Sequence, residues 1–268
     1  MPLRRSFVLA ALIAGTAWVS AAEAREPAAR PTRVGVNYVV TWLGIPVVRG
    51  RITATIDGRR YRATLSSRTV GIAERLFRDR RLVEVEGTMT ETGPKPRRYR
   101  SSVRSKKENR TITMTYRPDG RIVTSIDPKE SPSKRKPVPA GLQKDTLDPL
   151  SAMIAGTTLA AGEDRCGFGA PVFDGRRRMD IRLSFRGREQ TPVPFPGVSR
   201  NAVKCEARVK RIAGFRPRAI RERPVPPPVE VWSVRHAEAG LWIPVKMRVK
   251  AGLSTVIARI TKVTVGRP

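Results

Sequence analysis

The sequence is short of the residues that most enzymes use for covalent, redox or metal chemistry. Its 268 residues include two cysteines and a single histidine, His236. A zinc site needs more ligands than these, and redox-active cysteines are usually spaced C-x-x-C. A Ser-His-Asp triad would have to use His236, and the sequence has no G-x-S-x-G nucleophile turn. We therefore expect no enzymatic activity, no metal site and no cofactor.

The sequence also has no apolar run of the roughly 20 residues that a transmembrane helix needs. The run at residues 7–19 follows Arg4 and Arg5 and precedes the A-x-A motif Ala22-Glu23-Ala24. This order is typical of a cleaved secretory signal peptide. We expect residues 1–24 to be this signal, with cleavage after Ala24 and a periplasmic location. The arginine pair leaves both the general secretory and the twin-arginine route open.

Acidic residues are scarce, because 23 Asp and Glu stand against 53 Lys and Arg, a formal net charge of +30. Such a chain attracts polyanions at low salt, with the attraction screened over roughly 8–10 Å at physiological ionic strength. Compositional bias that aids solubility is one interpretation, and an anionic partner is the other. We expect no nucleic acid partner for an exported protein. The candidate anion contacts are Arg176 and Arg178, since alternate residues of a strand share a face.

What the sequence does have is a series of short stretches that alternate between apolar and polar residues. Clear examples are residues 34–42, 179–185, 203–209 and 241–249. This period is typical of half-buried strands, and the Gly, Pro and Asp residues between them favour turns. The pattern predicts a mainly β protein with an antiparallel sheet. The candidate apolar face consists of Tyr38, Trp42, Leu241, Ile243 and Met247.

Two stretches break the alternation and predict short helices. Residues 70–78 should pack on one sheet face through Ile72, Leu76 and Phe77. The second helix begins at Asp148-Pro149, an N-cap followed by proline at the first helical position. It covers residues 149–155, and we expect it to plug the sheet.

The two cysteines fit one structural disulfide. Cys205 alternates in step with the apolar residues of its strand, so it should point inward, where Cys166 could meet it. Two cysteines in an oxidising compartment most simply pair with each other. The bond would close a loop of about 40 residues and stabilise the fold by roughly 4 kcal/mol on the chain-entropy model.

Several short motifs, taken in order, resemble a bacterial family called domain of unknown function 3108. They are Tyr38 with Gly44-Ile45-Pro46, residues 147–152, Cys166 with residues 171–177, Cys205 with residues 212–214, and residues 230–232 with 239–241 and 244–245. The resemblance covers roughly residues 34–265. It implies an exported envelope protein and assigns no catalytic residue.

The resemblance also implies an open, strongly curved antiparallel sheet with one or two short helices, a half-barrel similar to periplasmic lipoprotein carriers. Residues 25–33 are polar and proline-rich, so we expect a flexible lead-in there, and residues 34–268 should form a single β domain of this family's type. The first functional hypothesis is a non-enzymatic protein whose concave face binds or shields an apolar envelope component such as a lipid. The alternative is a cationic protein that docks on lipopolysaccharide, anionic lipid or acidic glycan through its arginines. An enzyme acting on envelope glycan is the weakest of the three, and partner proteins remain unknown.

Overall fold

The structure is a computed structural model that describes residues 32–106, 108–129, 135–158, 166–192, 200–236, 240–252 and 254–266. The signal peptide predicted at residues 1–24 and most of the predicted lead-in lie outside these residues. The first strand begins at Thr32, two residues before the start expected for the β domain. In the described ranges no helix is long and apolar enough to cross a membrane.

The described residues form thirteen strands and four short helices. The strands are β1 Thr32–Trp42, β2 Ile45–Asp57, β3 Arg60–Thr69, β4 Arg80–Thr90, β5 Gly93–Arg104, β6 Asn109–Tyr116, β7 Ile122–Asp127, β8 Gly169–Phe173, β9 Arg178–Gln190, β10 Asn201–Ala213, β11 Val229–His236, β12 Leu241–Ala251 and β13 Ser254–Gly266. The helices are α1 Ile72–Leu76, α2 Ala140–Gln143, α3 Pro149–Thr158 and α4 Pro217–Glu222.

All thirteen strands belong to one antiparallel sheet with the order β7-β6-β5-β4-β3-β2-β1-β13-β12-β11-β10-β9-β8. Strands that follow one another in the chain are neighbours almost throughout, as in a meander. The exception is β7 and β8, which lie at opposite edges of the sheet. The first and last strands, β1 and β13, pair in mid-sheet. Because the edge strands β7 and β8 do not pair with each other, the sheet is open. The prediction of a single open antiparallel sheet with short helices is confirmed.

The sheet curls until its two edge regions meet through side chains. Phe173, at the end of β8, belongs to the same buried cluster as Tyr99, Ile112 and Met114 of β5 and β6. Just beyond β8, Arg176 Nη1 lies 3.1 Å from Glu108 Oε1 in the connection before β6. These contacts enclose a core between the two arms of the sheet.

Helix α3 fills that core. Leu150 and Ile154 are buried in the cluster that includes Tyr61 and Met114, and Met153 packs against it. Asp148 caps the helix, because its Oδ1 accepts hydrogen bonds from the backbone N–H groups of Leu150 and Ser151, each at 2.9 Å. The predicted helix therefore exists and occupies the expected position against the sheet.

Two details of the sequence interpretation are wrong. Helix α1 exists, but Ile72, Leu76 and Phe77 do not pack on the sheet, because each is more than half exposed and Ala73 makes the buried contact. Trp42 does not lie on a buried face either, since half of its surface is exposed. The pairing of β1 with β2 shifts register between Val40 and Thr41, just before this residue.

Candidate functional site

A wide groove runs across the face of the sheet opposite the packed core. It spans β1 to β5 and reaches β13, with a volume of about 1050 Å³. Seven of its lining residues are arginines, and one is acidic. The lining residues are Asn37, Tyr38, Val39, Arg49, Gly50, Arg51, Ser66, Ser67, Arg68, Arg80, Arg81, Leu82, Glu84, Arg100, Ser102, Arg104 and Thr261.

Strand alternation places most of these arginines on the outer face. In β2, Ile52, Ala54 and Ile56 pack against the core, so Arg49 and Arg51 project from the other side. The same alternation in β5 buries Tyr99 and leaves its neighbouring arginines exposed. The groove is therefore a consequence of how the core residues are spaced.

Four of the arginines stand in direct cross-strand register. Arg49 is paired with Arg68, Arg68 with Arg80, and Arg80 with Arg104, on the adjacent strands β2, β3, β4 and β5. We call these four residues the arginine row. Directly opposite side chains in an antiparallel pair share a face, with Cβ atoms roughly 4.5–5.5 Å apart. The row therefore forms a continuous band of positive charge that runs perpendicular to the strands.

The next register position supplies hydroxyl groups beside the arginine row. Arg51 is paired with Ser66, Ser66 with Leu82, and Leu82 with Ser102. Serine hydroxyls both donate and accept hydrogen bonds. An anion lying along the row would thus meet guanidinium donors on one side and hydroxyl groups on the other.

The arginine row has no acidic partner among the residues that the structure describes. Arginines elsewhere do have such partners: Arg248 binds Glu230 through two hydrogen bonds of 2.5 and 2.9 Å, and Arg208 lies 2.6 Å from Glu206. Like charges placed directly opposite each other in a sheet destabilise it. The row is therefore electrostatically unfavourable for folding and well suited to binding an anion.

The register of the row continues across the sheet to a second cluster of charges, which is partly neutralised. It passes from Arg49 through Val39, Arg259 and Lys246 to Trp232. Around the buried Trp232 ring, Lys246 Nζ lies 4.2 Å from the centroid, with Lys204 and Arg248 at 5.0 and 5.3 Å.

Two carboxylates, Glu189 and Glu230, partly neutralise this second cluster. Lys204 Nζ lies 2.7 Å from Glu189 and 3.3 Å from Glu230. The hydrogen bond from Arg248 and the contact with Lys204 lower the pKa of Glu230 to about 2. Lys204 and Arg248 thus have carboxylate partners, whereas the described residues give none to the four arginines of the row.

The candidate anion contacts taken from the sequence are engaged within the protein. Arg176 pairs with Glu108, and its side chain is only 15% exposed. Arg178 donates to Asp180 Oδ1 at 2.7 Å and to the carbonyl oxygens of Leu142 and Met179. These two guanidinium groups fix the turn after β8 to its neighbours, and the groove lies elsewhere.

The candidate apolar face largely becomes packed core. Tyr38 and Ile243 are buried in one cluster, with Leu241 and Met247 packed against it. The hydroxyl group of Tyr38 donates to the carbonyl oxygen of Pro244 at 3.3 Å. Trp42 stands apart at the exposed end of β1. Apart from Trp42, the side chains of the candidate apolar face are thus packed against other parts of the protein.

The two cysteines lie at disulfide distance, as the sequence suggested. The Cα atoms of Cys166 and Cys205 are 5.7 Å apart, and both residues are buried beside Val203. The bond ties the segment before β8 to β10. The lone His236 is also buried, at the end of β11. In the described parts of the chain, no three His, Cys, Asp or Glu residues group as a metal site.

Comparison with known proteins gives a family and structural likenesses. No curated protein matches the chain. A solved structure with 12% sequence identity is the beta-barrel-like protein of domain of unknown function DUF1849 from Brucella abortus. The alignment covers 88% of this chain and 98% of that one, with a TM-score of 0.48. The family described as protein of unknown function DUF3108 matches residues 37–261, and no enzymatic family is indicated. The chain therefore belongs to the DUF3108 family, in agreement with the motifs in its sequence.

Proposed function

We propose that this chain is an exported, non-enzymatic protein that binds an anionic component of the cell envelope in the groove of the arginine row. The observation that carries the proposal is the direct register of Arg49, Arg68, Arg80 and Arg104. Guanidinium groups bind carboxylate and phosphate through paired N–H donors. Several such groups in line favour a ligand with several anionic groups.

Export is part of the proposal because it determines which anions the groove can meet. The support comes from the sequence of residues 1–24, with its paired arginines, apolar run and A-x-A motif. The buried Cys166–Cys205 pair fits an oxidising compartment. Phosphate and carboxylate groups of envelope lipids and glycans are the anions that such a protein would encounter.

Binding of an apolar envelope component on the concave face of the sheet is the second candidate function, and we rank it below anion binding. That hypothesis needs open space on the concave side. Tyr61, Tyr99, Met114 and Phe173 are almost completely buried there, together with Leu150 of α3. Because these side chains fill the concave side of the sheet, a ligand on the outer face is favoured.

The test is binding of a soluble polyanion, dextran sulfate, to wild type and to the double variant Arg68→Gln/Arg80→Gln. The matched control is Arg182→Gln/Arg221→Gln, which removes two exposed arginines outside the groove. At about 0.1 M salt we expect the groove variant to bind about tenfold more weakly and the control to bind like wild type. Binding should weaken as salt rises. Equal losses in both variants would mean that net charge alone drives binding and would refute the groove.

A further inference from the structure

Six large apolar side chains are exposed together at the end of the sheet next to the arginine row. Three come from the β1–β2 turn and the strand residues that flank it, and three from α1 and the residue that follows it. They are Trp42 (50% exposed), Leu43 (61%), Ile45 (55%), Ile72 (64%), Leu76 (62%) and Phe77 (54%). We call these six residues the apolar tip. Single exposed apolar residues are ordinary, whereas a group of this size at one place marks an interaction surface.

Backbone contacts hold the two halves of the tip together. The N–H of Val70, just before α1, donates to the carbonyl oxygen of Val47 at 3.0 Å. A Cβ atom added to Gly71 would lie 3.4 Å from the carbonyl oxygen of Pro46. On the other side of the hairpin, the N–H of Leu43 donates to Thr255 of β13 at 3.2 Å. The tip is therefore a structured part of the fold.

The side chain of Leu43 gives the fold no visible benefit. Its backbone φ is +50°, in the left-handed region that favours glycine or asparagine over leucine. The side chain is also 61% exposed, so burial does not compensate for the unfavourable conformation. An exposed leucine in this conformation fits a contact with something outside the chain.

The tip and the arginine row are consecutive along the same strands. Arg49 follows Ile45 by four residues, Arg68 precedes Ile72 by four, and Arg80 comes three residues after Phe77. Along β2, at a rise of about 3.3 Å per residue, Arg49 lies roughly 13 Å from Ile45. The tip itself also carries Arg75 and Glu74, whose charges offset each other.

This arrangement fits the interface of a lipid bilayer. Apolar and aromatic side chains bury roughly 5–10 Å into the boundary between head groups and acyl chains, and basic residues behind them meet anionic head groups. A soluble acidic glycan would satisfy the arginine row and leave the apolar tip in water. Only a ligand that carries anionic and apolar regions in this order engages both.

We infer that the apolar tip inserts into the surface of an anionic lipid bilayer while the arginine row contacts its phosphate groups. The inference rests on the proposed function, because the row supplies the electrostatic part of the binding. It names the source of the anion as membrane lipid. The two parts have different signatures, since salt weakens only the contribution of the arginines.

The test compares vesicle binding with polyanion binding for the exported protein. The tip variant is Leu43→Asn/Leu76→Ser, in which asparagine suits the positive φ of position 43. The matched control is Ile220→Ser/Val225→Ser, which removes two exposed apolar residues elsewhere. The ligands are vesicles of phosphatidylcholine with phosphatidylglycerol, measured by co-sedimentation, and soluble dextran sulfate.

We expect the tip variant to lose about tenfold in affinity for the anionic vesicles, the loss of about 1.4 kcal/mol of binding energy, and to keep wild-type affinity for dextran sulfate. The control should match wild type with both ligands. Trp42 gives a second readout, because it is 50% exposed, whereas Trp232 is buried and Trp242 is partly buried. Fluorescence emission should shift to shorter wavelength on vesicle binding in wild type and not in Trp42→Phe.

Two results would overturn the inference. The first leaves the proposed function intact, and the second refutes it as well. If the tip variant binds vesicles as tightly as wild type, the tip does not insert and the arginine groove stands. If wild type binds neither vesicles nor dextran sulfate, the proposed function fails and the inference fails with it.

Discussion

The hydroxyl group of Ser151 donates a hydrogen bond of 2.5 Å to Asp148 Oδ2, and both side chains are completely buried. Ser151 Oγ also lies 2.7 Å from the hydroxyl group of Tyr61 on β3. Asp148 caps α3 with its other oxygen. This chain of contacts fastens the helix inside the core to the sheet whose outer face carries the arginine row.

Burial gives this network a pH dependence that can be measured. Desolvation raises the pKa of Asp148 to about 6, although hydrogen bonds from Ser151 and Leu150 oppose the rise. The folded state therefore takes up a proton at higher pH than the unfolded state does, whose pKa is near 3.8. Stability from this group is lowest above pH 6 and increases as the pH falls toward 4.

We expect Asp148→Asn to remove that increase. Between pH 7.5 and pH 5, urea unfolding should show wild type gaining about 1 kcal/mol relative to the variant. The range stops at pH 5 because Glu230, with its lowered pKa, loses stabilisation only as the pH falls below about 4.5. Parallel pH profiles for the two proteins would contradict the assignment to Asp148.

Removing the cysteine pair should destabilise the fold strongly. Cys166 and Cys205 are 39 residues apart in sequence, and closing a loop of this size contributes about 4 kcal/mol on the chain-entropy model. Cys166→Ala/Cys205→Ala should lower the free energy of unfolding by about 3–4 kcal/mol. Titration of thiols in the unfolded, unreduced protein tests whether the disulfide bond exists. Two reactive thiols per chain would show that Cys166 and Cys205 are not bonded.

The arginine row should show a conflict between stability and binding. Arg68 faces Arg49 on one side and Arg80 on the other, so Arg68→Gln relieves two like-charge contacts. We expect the free energy of unfolding to rise by about 0.2–1 kcal/mol at low salt while polyanion binding weakens. Arg221→Gln, on exposed α4, serves as the control with little change. A destabilised Arg68→Gln would show that the row contributes to the fold.

Gly87 marks a place where two strands approach too closely for any side chain. A Cβ atom at this position would lie 2.8 Å from Pro96 Cα and 2.8 Å from Tyr61 Cε1, and would clash with the carbonyl oxygen of Lys95. Gly87→Ala should cost about 1–3 kcal/mol of stability, the range of overpacking. Gly141→Ala in α2 meets nothing within 4 Å and should be neutral or stabilising. Thermal unfolding of the two variants compares them directly.

Features that depend on local periodicity, such as the strands and α3, could be predicted from the sequence. Features that depend on the register between strands could not. Alternation located the strands, and the Asp148-Pro149 pair located α3, because both signals lie within a few residues. The alternating pattern of β1 placed Trp42 on the inner face, because a period of two does not show where the buried part of a strand ends. Helices α2 and α4, of four and six residues, are too short to show a helical period.

The arginine row could not be predicted from the sequence, because it too depends on strand register. Arg49, Arg68, Arg80 and Arg104 are spread over 56 positions, and only the pairing of four strands brings them into line. Arg176 and Arg178 drew attention because they are close in sequence. Their partners Glu108 and Asp180 neutralise them, and Glu108 is remote in the chain. Local runs of charge were thus a poor guide to where unpaired charge collects.

Arginine-specific footprinting with phenylglyoxal, read by mass spectrometry, tests the anion-binding groove most directly. The protein is modified with and without dextran sulfate, and each arginine is compared with itself. We expect Arg49, Arg68, Arg80 and Arg104 to be protected by the polyanion, while exposed Arg182 and Arg221 react as before. Uniform protection of all exposed arginines, or protection that spares the four-residue row, would contradict a specific site on this face of the sheet.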